Sequence, residues 1–106
     1  MLGRSSVDII KTGGEKVSAL EIEEVYRTHP AIADCAVVGL PDDEWGERVC
    51  AAVVVTAPAL TAEELRVWGK QQLAPAKVPS RFVIVAELPR NTMGKVTKTD
   101  VRALFP

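Results

Sequence analysis

Few residues of this 106-residue sequence stand where side chains could do chemistry. The plainest is Lys95, which follows Gly94 in Pro89–Lys95, a polar stretch with Pro, Asn and Gly that reads as an exposed turn. A lysine in such a turn is ordinarily just solvated. It is also a compact ammonium on a flexible stem, able to meet anionic oxygens, and a neighbouring glycine lets backbone approach a ligand. Gly94-Lys95 is not a phosphate loop: that motif needs a glycine five residues earlier and Ser or Thr next, where this sequence has Pro89 and Val96. Gly13-Gly14 fits a turn as readily as a ligand loop. The single histidine, His29, stands before Pro30, which excludes a machine that needs a His base beside a Ser or Cys nucleophile. Cys35 and Cys50 lie inside apolar runs without zinc-site spacing, so no metal site is expected and both read as buried, reduced thiols of the cell interior.

The elements that must position these residues belong to one domain, 1–106, of ordinary soluble composition: 47% apolar and 25% charged. The net charge of -1 offers no broad basic field for nucleic acid or anionic lipid. Aromatic residues are too few and scattered for a base-stacking platform. No apolar run approaches the ~18 residues of a membrane span, and Gly3-Arg4-Ser5-Ser6 after Met1 does not open a signal peptide.

Val7 to Ile10 and Lys16-Val17, broken by Gly13-Gly14, predict a hairpin or tight loop. Ser18-Ala19-Leu20-Glu21 reads as a capping box opening a helix with Ile22, Val25 and Tyr26 on its buried face, and Glu21, Glu23, Glu24 and Arg27 mostly elsewhere. That helix should stop at His29-Pro30. Cys35 to Leu40 and Val49 to Val55 are continuous Val-rich runs and predict buried strands. Thr61-Ala62-Glu63-Glu64 is a second box, opening a helix with Leu65, Trp68 and Leu73 inward; Trp68 is a core residue by pattern. Phe82 to Leu88 is a third apolar run, and Thr97-x-x-Asp100 should cap a last short helix through Leu104. The fold class is therefore α+β: a small sheet of about three strands plus an N-terminal hairpin, with helices packed on the sheet.

Two segments carry a resemblance that composition and periodicity do not. One is Gly3-Arg4 through Asp8-Ile9-Ile10-Lys11-x-Gly13-Gly14-x-Lys16-Val17, closed by Glu21-Ile22-Glu23; the other is Glu87-Leu88-Pro89-Arg90-Asn91-Thr92-Met93-Gly94-Lys95-Val96. Together, with His29-Pro30-Ala31-Ile32, Gly39-Leu40-Pro41-Asp42 and Trp45-Gly46 between them, they resemble the C-terminal domain of the adenylate-forming superfamily. That superfamily comprises acyl-CoA synthetases, carrier-protein adenylation domains and beetle luciferases. The wording is most similar to the malonyl- and methylmalonyl-CoA synthetase branch.

The resemblance implies a lid domain of an AMP-forming ligase. Such a ligase joins a carboxylic acid to ATP as an acyl-adenylate, with Mg2+ expected beside the ATP, and then transfers the acyl group to CoA. It implies a large N-terminal domain, absent from this chain, that holds the acyl pocket and most of the nucleotide site, so the chain alone is expected to fold but not to catalyse. The small domain is expected to swing, presenting Lys95 for the first step and the glycine loop for the second. Arg4 would lie near the nucleotide, with the hinge at Ser6 or Asp8. Gly13 and Gly14 would line the pantetheine tunnel, and Lys11 matches a lysine that some relatives bring to the active site. Trp45, near the surface after an acidic turn, would stack on the CoA adenine or pack at the domain rim. Of the basic residues that some relatives keep before the third strand, Lys77 and Arg81 remain, while Val78 and Ser80 replace two others. The location implied is intracellular: cytoplasmic, or the mitochondrial matrix in a eukaryote. Two other readings share the pattern, a domain that loads a carrier protein and a stand-alone, non-catalytic binding module.

Overall fold

The computed structural model describes residues 9–44, 46–57 and 60–105. Arg4, Ser6, Asp8 and Trp45 lie outside the described residues. The element order is β1 (Ile9–Thr12), β2 (Glu15–Ser18), α1 (Ala19–Arg27), β3 (Ile32–Asp42), β4 (Gly46–Val55), α2 (Ala62–Gln72), a 3-10 turn (Pro75–Lys77), β5 (Arg81–Ile84) and α3 (Lys98–Arg102).

One sheet holds all five strands. Its longest ladder is the antiparallel pair β3–β4, registered from Ile32↔Val55 to Asp42↔Gly46, with β4 inside the sheet and β3 at one edge. Along its other edge, β4 meets β1 at Gly46↔Thr12 and runs parallel to β5 from Cys50↔Arg81 to Val53↔Ile84. The Val-rich runs are continuous because both faces of these strands are covered. Cys35, Val37, Val49, Ala51 and Val53 pack under α1 and α2 with Ile22, Tyr26 and Leu65. Ala36, Val38, Cys50 and Ala52 face the other way, against Leu88 and Val101. The two thiols thus sit on opposite faces of the sheet; both are free and buried, and no disulfide can join them.

β3 leaves one edge unpaired, and charged side chains close it, as edge strands require. Arg27 donates to the Cys35 carbonyl at 3.0 Å. The Val37 amide donates to Glu23 at 2.8 Å, and Lys98 donates to the Val37 carbonyl at 2.8 Å. Glu23 and Lys98 also pair with each other at 2.8 Å. Glu23 is 5% exposed, so its expected place off the buried face is corrected: the edge amide of Val37 holds it inside.

Several element ends differ from the sequence reading. Both central strands run further, β3 from Ile32 to Asp42 and β4 from Gly46. The third apolar run is strand only over Arg81–Ile84; beyond it the chain leaves the ladder after the Val85 amide bonds the Val53 carbonyl at 2.9 Å. Thr61 and Glu64 form the complete capping box, whereas Ser18 accepts from the Glu21 amide while the Glu21 carboxylate turns to Lys77 at 3.0 Å. Thr97 makes no side-chain cap, its hydroxyl is buried without a partner among the described residues, and α3 ends at Arg102, short of Leu104.

Candidate functional site

The Lys95 segment is a tight, heavily bonded turn. Arg90 and Val96 bridge its base, and the Thr97 amide donates to the Pro89 carbonyl at 3.1 Å. Inside, the Asn91 amide donates to the Lys95 carbonyl at 2.9 Å and the Gly94 amide to the Asn91 carbonyl at 2.9 Å. The Asn91 side-chain oxygen accepts from the Met93 amide at 2.9 Å and from the Lys95 amide at 3.1 Å. Gly94 has φ 82°, a left-handed value that a side chain would strain, and open space surrounds the place where a Cβ would go. At the crest Met93 is 77% exposed. Lys95 is exposed too, and no carboxylate pairs with its ammonium among the described residues. A fixed backbone thus carries a free, extensible cation into solvent.

The other candidate element is the β1–β2 hairpin. Gly13 (φ 59°) and Gly14 (φ 82°) are its two central residues. A two-residue hairpin of this hand needs positive φ at both positions, so the turn by itself accounts for the glycine pair. Their bare backbone stands in the open: nothing approaches the place of a Gly14 Cβ. Lys11 is exposed and lies directly opposite Lys16, and its amide donates to Glu47 at 2.8 Å. Like charges opposite each other in a ladder oppose pairing, while Glu15 in the turn-side rung and Glu47 beside Lys11 offset the two lysines.

The structure does not bring the two elements together. The Lys95 turn is tied to Asp34, whose ladder partner is Val54, while the hairpin meets β4 at Gly46. Eight residues of extended strand separate Gly46 from Val54, which is ~27 Å at ~3.4 Å per residue. Lys95 and Gly13-Gly14 therefore occupy opposite ends of the sheet. Near the hairpin end, a cleft of about 580 Å³ is lined by Asp42, Asp43, Glu44, Arg48, Arg81 and Phe105, among others. Arg48 is paired with Asp42 at 2.8 Å, and Arg81 faces the cleft. Lys77 is engaged by Glu21, and Ser80 donates to the Val49 carbonyl.

The remaining sequence candidates are structural. His29 accepts the Ala31 amide at 3.0 Å and stacks edge-on against Trp68, with centroids 4.9 Å apart. Trp68 is half-buried against Tyr26, its packing as the pattern predicted. Burial pushes the Cys35 thiol up to about 12, with the nearby Glu23 carboxylate adding to the effect, and burial raises Cys50 as well. Neither is a reactive thiolate. Asp34 and the Glu23–Lys98 pair were missed from the sequence, because nothing around a single acid in Ala31–Cys35 or a lysine in the last helix signals a long-range partner.

Residues 21–95 match the AMP-binding enzyme C-terminal domain family. The mitochondrial malonate–CoA ligase of Bos taurus is 54% identical over 98% of this chain and 18% of its own length. The malonate–CoA ligase of Arabidopsis thaliana is 45% identical over 96% of this chain and 19% of its own. Among solved structures, apo MatB of Rhodopseudomonas palustris superposes with a TM-score of 0.87 at 36% identity, covering 97% of this chain and 20% of that one. The chain spans about a fifth of the length of these relatives.

Proposed function

Because this chain belongs to the AMP-binding enzyme C-terminal domain family, we propose that it is the mobile lid of an ATP-dependent, AMP-forming ligase that makes CoA thioesters of malonate, methylmalonate or another short acid. In this reading a carboxylate oxygen of the acid attacks the α-phosphorus of ATP and pyrophosphate leaves. The CoA sulfur then attacks the acyl carbon of the adenylate, AMP leaves, and the thiol proton passes to solvent. The acyl pocket and most nucleotide contacts belong to a large preceding domain. Mg2+ accompanies the ATP, held by its phosphates and, in this reading, mainly by residues of that domain.

The observation that carries the reading is Lys95: an unpaired cation on a turn locked by Asn91 and Gly94. Placed between attacking carboxylate and α-phosphate, it offsets negative charge that builds only in the transition state, which is where catalysis acts. Gly13 and Gly14 leave room for the narrow pantetheine arm in the second step, with Lys11 beside them. Trp45 stacks on the adenine of CoA, next in the chain to Gly46, which pairs with Thr12 at the hairpin end. Arg4 approaches the nucleotide, and Ser6 or Asp8 supplies the hinge. The places of Lys95 and Gly13-Gly14 beyond opposite ends of a strand stretch ~27 Å long support two orientations, because one pose of a rigid domain does not readily present both ends to a single centre.

The test is adenylation by the whole ligase, read as acid-dependent exchange of pyrophosphate into ATP with malonate as the acid. Lys95→Ala should slow it at least about a hundredfold, the scale of losing one oriented donor at ~1.36 kcal/mol per decade. Lys95→Arg should rescue poorly, since a planar fork does not replace a compact ammonium. Unchanged exchange in Lys95→Ala would remove the lysine from the chemistry. A relative in solved form, an amide bond synthetase from Marinactinospora thermotolerans, shares the fold at a TM-score of 0.87 and 37% identity over 93% of this chain and 20% of its own. The fold alone therefore does not decide the acceptor of the second step, and a thioester formed with free CoA distinguishes a CoA ligase from an enzyme that loads a carrier protein.

A further inference from the structure

The peptide unit between Gly94 and Lys95 is held from both sides. Its N–H donates to the Asn91 side-chain oxygen at 3.1 Å, and its carbonyl accepts from one arm of Arg90 at 3.0 Å. The other arm of Arg90 donates to Asp34 at 2.7 Å. Asp34 sits on β3, 56 residues from Arg90 in sequence. It is fixed in turn: its other oxygen accepts from the Cys35 amide at 2.8 Å and from Arg27 of α1 at 3.3 Å. A planar guanidinium that donates through both arms to two fixed acceptors is held in one orientation. The chain of contacts therefore runs from α1 and the central sheet, through one carboxylate and one guanidinium, to the backbone of the lysine.

We infer that Asp34 and Arg90 are positioning residues for Lys95, which act by fixing the turn to the body of the domain so that the ammonium arrives at one place. This deepens the reading of Lys95 as the adenylation residue and rests on it. Arg90 touches no substrate in this account. It sets the direction in which the lysine leaves the turn, and Asp34 sets the place of Arg90. Misplacing an oriented group by ~1 Å can cost ~100-fold in rate, and a four-carbon stem on a loosened turn samples that range easily. The inference also assigns a purpose to an exposed ion pair. Such a pair contributes little to stability, so loss of the Arg90–Asp34 contact should be felt in the position of the turn more than in folding.

The test compares Asp34→Asn, Arg90→Gln, Arg90→Lys and Lys95→Ala in the whole ligase. Three readouts are taken: pyrophosphate exchange, thioester formation from supplied acyl-adenylate and CoA, and the thermal midpoint. Asp34→Asn and Arg90→Gln should each lower kcat of adenylation about tenfold or more. The KM for ATP, the thioester step and the midpoint should stay near wild type. Arg90→Lys, which can serve one partner but not both, should fall between. On a Lys95→Ala background neither substitution should slow adenylation further, because the group they position is gone. If Lys95→Ala slows adenylation and the tether variants do not, the inference is overturned and the reading of Lys95 stands. If the tether variants lower both half-reactions together with the midpoint, the pair supports the fold and the inference is again overturned. If Lys95→Ala leaves adenylation intact, the underlying reading has failed, whatever the tether does.

Discussion

At the scale of single residues, the informative contrast lies between polar groups left free and polar groups held. Lys95 is free at a solvent-facing crest, whereas Lys98, three residues later, is drawn into the β3 edge by Glu23 and the Val37 carbonyl. The sequence carries both as lysines near a turn, and only packing separates them. The thiols are a second contrast with a measurable consequence. Cys35 is pushed up to about 12 by burial, and Cys50 and the Tyr26 phenol are raised for the same reason. A group raised in the folded state contributes its full share below the unfolded value, here near 9 for the thiols. Above that pH the unfolded chain loses its protons first, so stability should fall as pH rises from about 9 toward 12, by up to ~1.4 kcal/mol per unit for Cys35. Urea titrations at pH 8 and pH 10 would show a lower midpoint at pH 10, and equal midpoints would contradict the burial account. In the native chain neither thiol should react with a disulfide reagent at pH 8; in urea both should.

Among the elements, helix α2 is seated through an absence. Tyr26 of α1 donates to the Leu65 carbonyl at 3.0 Å, and a Cβ on Gly69 would fall on that hydroxyl. Gly69→Ala gains ~1 kcal/mol of helix propensity, yet it should lower the thermal midpoint, because the tyrosine is fully buried and has no room to shift. A raised midpoint would mean that α2 is free to move away from α1. This position shows why some of the fold was legible in the sequence and some was not. Capping boxes, Val-rich runs and the proline after His29 are local signals, and the helix starts, the two central strands and the end of α1 at Arg27 follow from them. Gly69 reads as a mere flaw in a helix until Tyr26 is placed against it. In the same way, Phe82 to Leu88 is apolar but for Glu87, yet the run divides between a strand beside β4 and a segment that sends Leu88 to the far side of the sheet. Hydrophobicity records burial and not which face is buried. The site was legible as two motifs; their distance from each other, and the tether of one of them to Asp34, depend on the register of β3 against β4 and could not be read locally.

For the whole molecule, the governing fact is that the Lys95 turn and the Gly13-Gly14 hairpin are built on opposite ends of one sheet. Nothing within the domain lets them share a substrate, so the account requires that the domain turn between two half-reactions. Among the described residues no helix is long and apolar enough to cross a membrane. Separate loss of the two steps tests the required turn of the domain most directly. In the whole ligase, Lys95→Ala and Gly13→Leu are each assayed for pyrophosphate exchange and for thioester formation from supplied acyl-adenylate and CoA. The account predicts a crossed result: Lys95→Ala loses exchange by about a hundredfold or more and keeps thioester formation, while Gly13→Leu, bulky at the hairpin crest, keeps exchange and loses thioester formation well beyond Gly13→Asn, which tolerates the positive φ of that position. Equal loss of both half-reactions in both variants would contradict it, since the two ends would then serve one orientation or merely the fold.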